Sequence, residues 1–363
     1  MTPTEYQRQS RARIDSQQRR FNAELTRVYR QARDTIQTEI DKLYRRALAG
    51  ADPADYWGLT VRLNRWNRLQ GQIREAMNQA AERAGVIVEQ ASRLSFSNTY
   101  YQNQYLMQVG GAAQGVNLSF TRLPQELIEL AVFNLPDRLA ELNQEAIKRF
   151  RANELVPEHA NTLQDLFRQH NARGVRRVRD TITQALVQGQ PLDKMARRLD
   201  GAVSIPRNNM ERILRTETHR LREMAKLASI SNARADGVRG RRRIESVLDD
   251  RTRAQSAQVD GEVENDDGLF QYPDMLVASP GNSGVAAWDI NDREIVVMDI
   301  PGLEPNARRV RMPGDRPPPE VRRRLQAEGR PVPGENYVIS WQKFGDWAES
   351  VGLSTNRYGE LVV

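Results

Sequence analysis

The sequence contains no cysteine, which excludes disulfide bonds and thiolate-bound metals from the start. Histidine is also scarce: His159, His170 and His219 are too scattered to form a cluster with the spacing of metal ligands. No recognisable cofactor-binding motif replaces them. We therefore predict a protein without a metal site and without a cofactor.

Long apolar runs are absent as well. No stretch approaches the ~20 apolar residues that a membrane-spanning helix needs. The first residues, Met1 to Tyr6, lack the basic and then apolar pattern of a secretory signal. We therefore expect a soluble protein that has no membrane partner and is used without export through a signal peptide.

Lysine is nearly absent, with 5 residues against 49 arginines, so guanidinium groups carry almost all of the net charge of +7. Arginine makes planar, two-pronged contacts with carboxylates and phosphates, which suits interfaces and phosphate contact. The codon composition of a GC-rich genome, or a warm habitat, explains the bias equally well. Of these explanations we rank the genomic one first.

The first hundred residues predict two long helices. Apolar residues recur at steps of three, four or seven along residues 4–48, which is typical of one amphipathic helix. Asp52-Pro53 then begins a second such helix, predicted to end near Leu94. Together they predict an antiparallel hairpin, either within a self-contained bundle or as a stalk that grips a partner. The length of the first helix favours the stalk.

The pattern stays mainly helical up to Gly237. Residues 95–115 are rich in Tyr, Asn and Gln, and are either a loop or a third helix whose rings are buried. Pro124 and Pro136 each begin a helical pattern. Further helices are predicted at residues 137–151, 159–189 and 193–199, and from Ile205-Pro206 to 236.

After Gly237 the composition changes. Short β-branched runs at residues 244–247, 285–288 and 294–297 are separated by Gly, Pro, Asn and Asp, which favours strands. With the helix that precedes them, they predict a small α+β module. Residues 301–334 hold eight prolines and eight arginines against four acids, which predicts an extended arm. Aromatic residues after Tyr337 predict a short docking helix near 340–351.

The predicted fold class is therefore mostly α, with a long helical hairpin and a helical bundle before the α+β module and the irregular proline- and arginine-rich arm. The predicted divisions are residues 1–115 for the hairpin or stalk, 116–200 for the bundle, 201–300 for the module, 301–336 for the arm and 337–363 for the docking segment.

Residues 213–261 carry the most informative motifs. Arg215-Thr216-Glu217, Asp250-Arg251-Thr252 and Asp260-Gly261 follow one another in an order and spacing that resembles the phage Mu F-like minor head protein family, also described as head morphogenesis proteins. Pro280-Gly281-Asn282 and Ile290-Asn291, the latter followed by Arg293, stand where that family has a Pro-Gly turn and an Ile-Asn-Cys-Arg-Cys strand. The resemblance covers residues 180–300.

The first motif invites a catalytic interpretation, because an acid beside an imidazole transfers protons. Glu217 and His219, however, are two apart on a helix and point in different directions, and no nucleophile accompanies them. We favour a structural role, in which Arg215 and Glu217 hold the helix on the sheet through ion pairs with the turn at 249–251.

The aspartates of the other two motifs also have two interpretations. Carboxylates such as Asp249, Asp250 and Asp260 suit a divalent cation. Arginines close by, at 241–243 and 251, would repel such an ion. A turn in which aspartates cap backbone amides and arginines close salt bridges is the simpler account.

The resemblance also implies cysteines at four positions where this chain has Arg253, Ser256, Asp292 and Glu294. A zinc clip or disulfides would suit those positions in relatives and are excluded here. We predict an ionic replacement in which Arg253 pairs with Asp292 or Glu294. A guanidinium–carboxylate distance well over ~4 Å would exclude it, and an exposed pair would contribute only about 0–1 kcal/mol.

Basic residues concentrate between Arg207 and Arg243, where eleven Lys or Arg face four acids. Such a run either attracts a phosphate backbone or forms a solvated face that pairs with neighbouring subunits. No zinc finger or phosphate-binding loop accompanies it, so we do not expect sequence-specific readout. The candidate DNA or partner contacts are two triplets, Arg241, Arg242 and Arg243, and Arg322, Arg323 and Arg324.

The resemblance implies a low-copy minor head protein of a tailed phage, assembled in the host cytoplasm and located in the virion, at the head interior or the portal vertex. Its implied partners are the portal protein or the major capsid protein, with non-specific contact to phage DNA and self-association through the N-terminal helices as further expectations. Two alternatives stay open: a non-specific DNA-binding protein, and an enzyme, because some relatives carry toxin or nuclease domains after the shared module. A closed cavity uniting Glu217, His219 and Asp250 would favour the enzyme.

Overall fold

The computed structural model describes residues 3–49, 59–133, 163–188, 190, 192–247, 252–283, 285–290, 292–300, 307–311, 317–330, 332–340, 354–355 and 361–362. Over these ranges the chain is mostly α, as the sequence predicts, and its strands are short. None of the helices in these ranges combines the length and the apolar character needed to cross a bilayer.

Long helices account for most of the described residues up to Ala235. They are α1 (Pro3–Ala49), α2 (Leu59–Ala113), α4 (Leu163–Val187) and α5 (Leu192–Ala235), with the short α3 (Gln125–Phe133) between α2 and α4. Helix α1 runs antiparallel to α2 and to α5. Gln31 accepts a hydrogen bond from Arg83 of α2, and Arg33 pairs with Asp200 near the start of α5. Nearer the N-terminus of α1, Gln18 accepts a hydrogen bond from Thr218, which lies further along α5. The predicted antiparallel hairpin is therefore present.

The apolar stripe of α1 is buried inside this chain. Phe21, Leu25, Ile36 and Ile40 are at most 4% exposed and belong to one core with side chains of α2, α4 and α5. The preference for a projecting stalk is wrong for this stretch, because α2 and α5 together cover the stripe that a stalk would leave open to a partner. The physical requirement that the stripe be buried is met within the bundle.

Helix α2 does not end at Leu94, where the second predicted helix stops. It continues to Ala113, so the polar-aromatic segment is helical rather than a loop. Phe96 and Tyr100 are buried in a core with Leu221 and Met224 of α5. The Tyr100 hydroxyl accepts a hydrogen bond of 3.0 Å from Asn232. Residues such as Asn and Tyr have only a weak preference for helix. The burial of the rings, with the Tyr100 hydroxyl hydrogen-bonded, stabilises the helix in spite of it.

The predicted break before Pro206 is also wrong, because α5 is continuous from Leu192 to Ala235 with Pro206 inside it. A proline removes one amide donor and costs several kcal/mol in an isolated helix. Here its ring packs against Gly174 of α4, where a side chain would come within 3.1 Å of the Pro206 Cβ. This tight contact between α4 and α5 compensates for the lost hydrogen bond. The same helix crosses the predicted boundary at residues 200/201.

The α+β module begins where α5 ends. Its strand β1 (Arg241–Glu245) pairs antiparallel with β4 (Ile295–Asp299), with Ile244 opposite Val296. Between them lie α6 (Ala254–Val259), the hairpin of β2 (Phe270–Tyr272) and β3 (Met275–Val277), and the short α7 (Ala286–Asp289). Residues 261–264 hydrogen-bond along the other edge of β1.

The strand predicted at 285–288 is wrong, because α7 occupies this place. The Val285 carbonyl accepts hydrogen bonds from the amides of Trp288 and Asp289, and the Trp288 ring lies 4.7 Å from that of Tyr272. A helical turn brings the indole back over the β2–β3 hairpin, which an extended segment would not do. The module core includes this ring pair together with Ile230 of α5.

The C-terminal arm is not extended throughout. Strand β5 (Ala307–Arg311) pairs antiparallel with β6 (Asn336–Ser340), and α8 (Pro319–Ala327) lies between them in the chain. A short pair, β7 (Ser354–Thr355) and β8 (Leu361–Val362), follows. The prediction of an extended arm over residues 301–336 is therefore wrong at α8, because a proline in the first turn, as at Pro319, is compatible with a helix. The helices predicted at 137–151 and near 340–351 lie outside the described residues, apart from the end of β6.

We predict that Leu25→Ala lowers the free energy of unfolding by about 2–5 kcal/mol, because Leu25 is fully buried in the shared core. Leu94→Ala is the matched control, since Leu94 is 37% exposed and its truncation should cost about 1 kcal/mol or less. Urea unfolding followed by circular dichroism at two protein concentrations measures both. A Leu25 effect that depends on concentration would instead mean that α1 is stabilised by a second copy.

Candidate functional site

The candidate site lies where the polar face of α5 meets β4 and the loops of the α+β module. His219, Glu223 and Lys226 are spaced four and three apart, so they share one face of α5. Leu221, Met224 and Leu227 face the helical core instead. One helix therefore presents an apolar surface to the bundle and a charged surface to the module.

Glu223 connects α5 to the backbone of β4. Its side chain is 1% exposed, and Oε2 accepts a hydrogen bond of 2.8 Å from the Val296 amide. Oε1 pairs with Lys226 Nζ at 2.7 Å, and the same ammonium donates to the Val296 carbonyl at 3.3 Å. The carboxylate and the ammonium thus satisfy the Val296 amide and carbonyl on the edge of β4 that faces away from β1.

His219 lies one turn earlier on the same face. Its Nε2 is 3.6 Å from Asp292 Oδ2, and both side chains are buried. The turn at Pro280-Gly281-Asn282 closes over the imidazole. Gly281 has φ +72°, and a Cβ placed on it would lie 3.0 Å from His219 Cδ2. Glycine is required here both by the backbone conformation and by the approach of the ring.

Arg253 is the centre of the cluster on the module side. Its Nη2 lies 3.5 Å from Asp292 Oδ1 and 3.5 Å from Glu294 Oε2, and both carboxylates are almost fully buried. The guanidinium also donates to Ser256 Oγ at 3.4 Å, and to three backbone carbonyls at 3.2–3.3 Å: those of Ala287, Trp288 and Ile290.

The four positions for which the family resemblance implies cysteines therefore meet in space. These distances fall within the separation that the predicted ionic pairing requires. This one planar cation reaches two carboxylates and four neutral acceptors. Its replacement should lower the stability of the fold, because the two buried carboxylates would lose the Arg253 charge. The same residues form the joint between α6, α7 and the start of β4.

The first sequence motif has a local partner. Glu217 Oε2 pairs with Arg220 at 2.9 Å, and Arg220 also donates to the Ala131 carbonyl of α3 at 3.0 Å. Arg215 is exposed, and the Thr216 hydroxyl is buried without a hydrogen-bond partner. Residues 248–251 lie outside the described part of the chain, so the ion pairs expected between this motif and Asp249, Asp250 and Arg251 stay a prediction.

The later motif residues fasten the loop that follows β1. Thr252 Oγ1 donates to the Val247 carbonyl at 2.8 Å, and Asp260 Oδ1 accepts from the Ser246 amide at 2.9 Å. Gly261, at φ +77°, donates its amide to the Ile244 carbonyl. Asp260 therefore caps backbone, as expected of a turn. Among the described residues no group of three or more His, Asp or Glu side chains is arranged to hold a metal ion.

The arginine triplet after α5 is not the exposed patch that the sequence predicts. Arg242 is 8% exposed: it pairs with Glu264 at 2.6 Å and lies over the Phe270 ring. Arg243 pairs with Asp299 and is 12% exposed. The prediction that these two contact DNA or a partner is therefore corrected, because both guanidiniums are used inside the module. Arg241 alone is well exposed, 3.2 Å from Asp266.

Glu264 is held by two cations at once, Arg242 and Arg234. Burial alone raises the pKa of the Glu264 carboxyl. The hydrogen bonds and charges of the two arginines outweigh that effect and keep the pKa below its ordinary value of 4.5. Glu264 thus stays ionised and links the end of α5 to β1.

The second arginine triplet lies on α8. Arg322 pairs with Glu335, and Arg324 is 3.9 Å from Glu328. Arg323 and Arg324 are exposed. Helix α4 adds a basic surface that the sequence analysis overlooked, because Arg173, Arg176 and Arg177 are all exposed there.

Sequence reasoning missed Glu223, Lys226, Arg234 and Glu264. The first two could have been found from their spacing after His219, which puts three charged or polar residues on one face of an amphipathic helix. Arg234 and Glu264 are 30 residues apart, and no local pattern relates them.

Two prominent cavities in the described part of the chain lie elsewhere. One of about 520 Å³ is an open groove between α1 and α2, and one of about 100 Å³ lies between α1, α2 and α5. Neither is lined by Glu217 or His219, and Asp250 lies outside the described residues. The cavity that would favour an enzyme is therefore not formed by these two.

We predict that Arg253→Met lowers the free energy of unfolding by about 2–4 kcal/mol, since two buried carboxylates lose their cation. Arg215→Met is the control: this arginine is exposed, and its loss should change stability by no more than about 0.5 kcal/mol. Urea denaturation at neutral pH compares the two. Equal losses would exclude Arg253 as the centre of the joint.

Gly281→Ala should destabilise the protein by at least about 1 kcal/mol more than Gly115→Ala. Both glycines have a similar positive φ, +72° and +76°, but only at Gly281 does an added Cβ meet other atoms. The difference between the two variants in thermal or urea unfolding therefore measures the close approach of the turn to His219 and to the Arg220 backbone. Identical losses would mean that the turn moves away from the imidazole without cost.

Comparison with known proteins gives one match. Residues 176–291 match the model of the family described as Phage Mu protein F like protein. The matched segment begins within α4, includes the whole of α5 and ends one residue before Asp292. No curated protein and no solved structure matches the chain significantly. Residues 176–291, about a third of the chain, are therefore similar to Phage Mu protein F like proteins, which supports a relation of this segment to phage head proteins.

Proposed function

We propose that this chain is a minor capsid protein of a tailed phage, associated with the portal or the procapsid, where it acts in head assembly and assists DNA packaging or exit. The observation that carries the proposal is the family match over residues 176–291. That segment includes His219 and Glu223, which join α5 to the module, and Arg253, which joins α6 and α7 to the start of β4.

The state of the polar groups supports a structural rather than a catalytic protein. Glu223 bonds to Lys226 and the β4 backbone, and Arg253 to two carboxylates and three carbonyls. A catalytic acid or base must reach a substrate proton within hydrogen-bond distance. These groups point at one another inside the fold. They suit a rigid joint, by which a load on the module passes directly to the helical bundle through α5.

A non-specific DNA-binding role is the second candidate. It is favoured by the exposed arginines of α4 and α8 on a chain of net charge +7. Phosphate contact of this kind weakens steeply as salt rises, because binding releases condensed counterions. DNA contact also fits a head protein that assists packaging, so DNA affinity alone does not separate the two candidates.

The deciding experiment is co-expression of the full chain with the portal protein, with the major capsid protein, and with both, taken from the same genome. We expect co-purification with the portal ring or the procapsid. Cell extracts are treated with nuclease and washed at 0.5 M NaCl, which removes contacts bridged by DNA. Non-specific DNA affinity at this salt concentration is weaker than at low salt by a factor on the order of 10³ or more.

Matched variants make the result specific. Arg323→Gln with Arg324→Gln removes exposed cations of α8, and Arg176→Gln with Arg177→Gln removes the same number from α4. Both pairs should lower DNA affinity and reduce its salt dependence, while retention by the phage assembly survives nuclease and salt. Retention by neither assembly, with DNA binding intact, would contradict the head-protein proposal and favour the second candidate.

A further inference from the structure

The smaller cavity, of about 100 Å³, is lined almost entirely by polar side chains. It lies between the N-terminal part of α1 and the C-terminal halves of α2 and α5. Among the residues whose side chains the structure describes, Ile14 is the one apolar lining residue, and the lining contains the guanidiniums of Arg13 and Arg222 but no carboxylate. Arg13 is exposed and the guanidinium of Arg222 is buried at Nε, so one enclosed cation faces this cavity without a carboxylate among the described lining residues to offset it.

Arg222 is the more enclosed of the two arginines. Its Nε is buried without a hydrogen-bond partner, and Nη2 donates to Thr218 Oγ1 at 3.2 Å. Burial lowers the pKa of Arg222, and the fields of Glu223 and Asp15 offset this only in part. Within the described residues no carboxylate forms an ion pair with it. Glu223, its sequence neighbour, is bonded to Lys226 and to the Val296 amide instead.

Gln17 supplies a second orphaned donor in the same cavity. Its Nε2 is buried and has no hydrogen-bond partner. Asn98 and Gln102 of α2 add amide groups, and Thr99 adds a hydroxyl. A buried donor without an acceptor costs about 1–3 kcal/mol, and more when it is charged. Two such donors that face one cavity indicate a missing acceptor common to both.

We propose that this cavity binds one small oxyanion of the phosphate or sulfate type. Its oxygens would accept from Arg222 Nε and Gln17 Nε2, and its charge would offset both guanidiniums. The planar fork of arginine matches the spacing of oxygens in such anions and strengthens these hydrogen bonds. The bound anion fastens α1 to α2 and α5 in the region where Gln18 and Thr218 meet.

The size of the cavity decides the class of ligand. Its volume of about 100 Å³ is several times the ~10–15 Å³ of cavity space that one water molecule needs. A single tetrahedral oxyanion fits that space, which is too small to enclose a whole nucleotide. The site is therefore independent of the proposed role in the phage head and of the exposed arginines of α4 and α8.

The test is thermal unfolding of the full chain at neutral pH with sodium phosphate, compared with sodium chloride at equal ionic strength. Saturating phosphate should raise Tm by about 3 °C or more over chloride, since a ligand that binds only the folded state stabilises it. Sulfate should act in the same direction. Calorimetric titration with phosphate should give one ion bound per chain.

Three variants locate the effect. Arg222→Met keeps the length of the side chain and removes the charge, so the phosphate response should disappear. Gln17→Glu places a carboxylate in the cavity, and should raise Tm in chloride while abolishing the response to phosphate. Arg19→Met is the matched control, because Arg19 is exposed on α1 and does not line the cavity. It should keep the full response.

If Arg222→Met does not fold, Gln17→Glu decides the matter alone. A phosphate response that equals that of chloride, or that persists in Gln17→Glu, would overturn the proposal. Stabilisation by acetate but not by phosphate would overturn the assignment to a phosphate-type anion. Stabilisation by short DNA oligomers without any effect of free phosphate would assign the cations to nucleic acid instead.

Discussion

The fold depends on the two faces of one helix, α5. Its apolar face, which includes Leu221 and Met224, completes the helical core, and its charged face, with His219 and Glu223, holds the edge of the α+β module. Because a helix of 44 residues is stiff, the two bodies cannot move apart without breaking one of these faces. The family match begins within the preceding helix, includes the whole of α5 and ends at residue 291, so it contains the helical side of the joint but not β4.

Charge rather than apolar burial organises this joint. The strands of the module are short, and its sheets are two-stranded, which is marginal for stability without further packing. Arg253, Glu264 and Glu223 each join segments that are distant in sequence. Buried ion pairs of this kind stabilise less than an equal volume of apolar packing, but they fix which groups must meet. A small core thereby obtains a defined register.

The sequence predicted the helices and the general position of the module, because periodicity and composition report on local structure. It also brought Arg253, Asp292 and Glu294 into one hypothesis through the resemblance, and the structure puts them within 3.5 Å. It failed where tertiary contacts override local preference. Pro206 lies inside a helix because Gly174 receives its ring, and Arg242 is buried because Glu264, 22 residues later, neutralises it. Neither partner is marked by spacing or by motif.

The joint around Arg253 also bears on the chemical conditions that the protein tolerates. A clip made of guanidinium and carboxylates contains no thiol to oxidise and no zinc to lose. It therefore forms alike in a reducing and in an oxidising medium, and neither dithiothreitol nor a chelator can open it. The strength of this joint therefore does not depend on redox potential, a variable that differs between the inside and the outside of a cell.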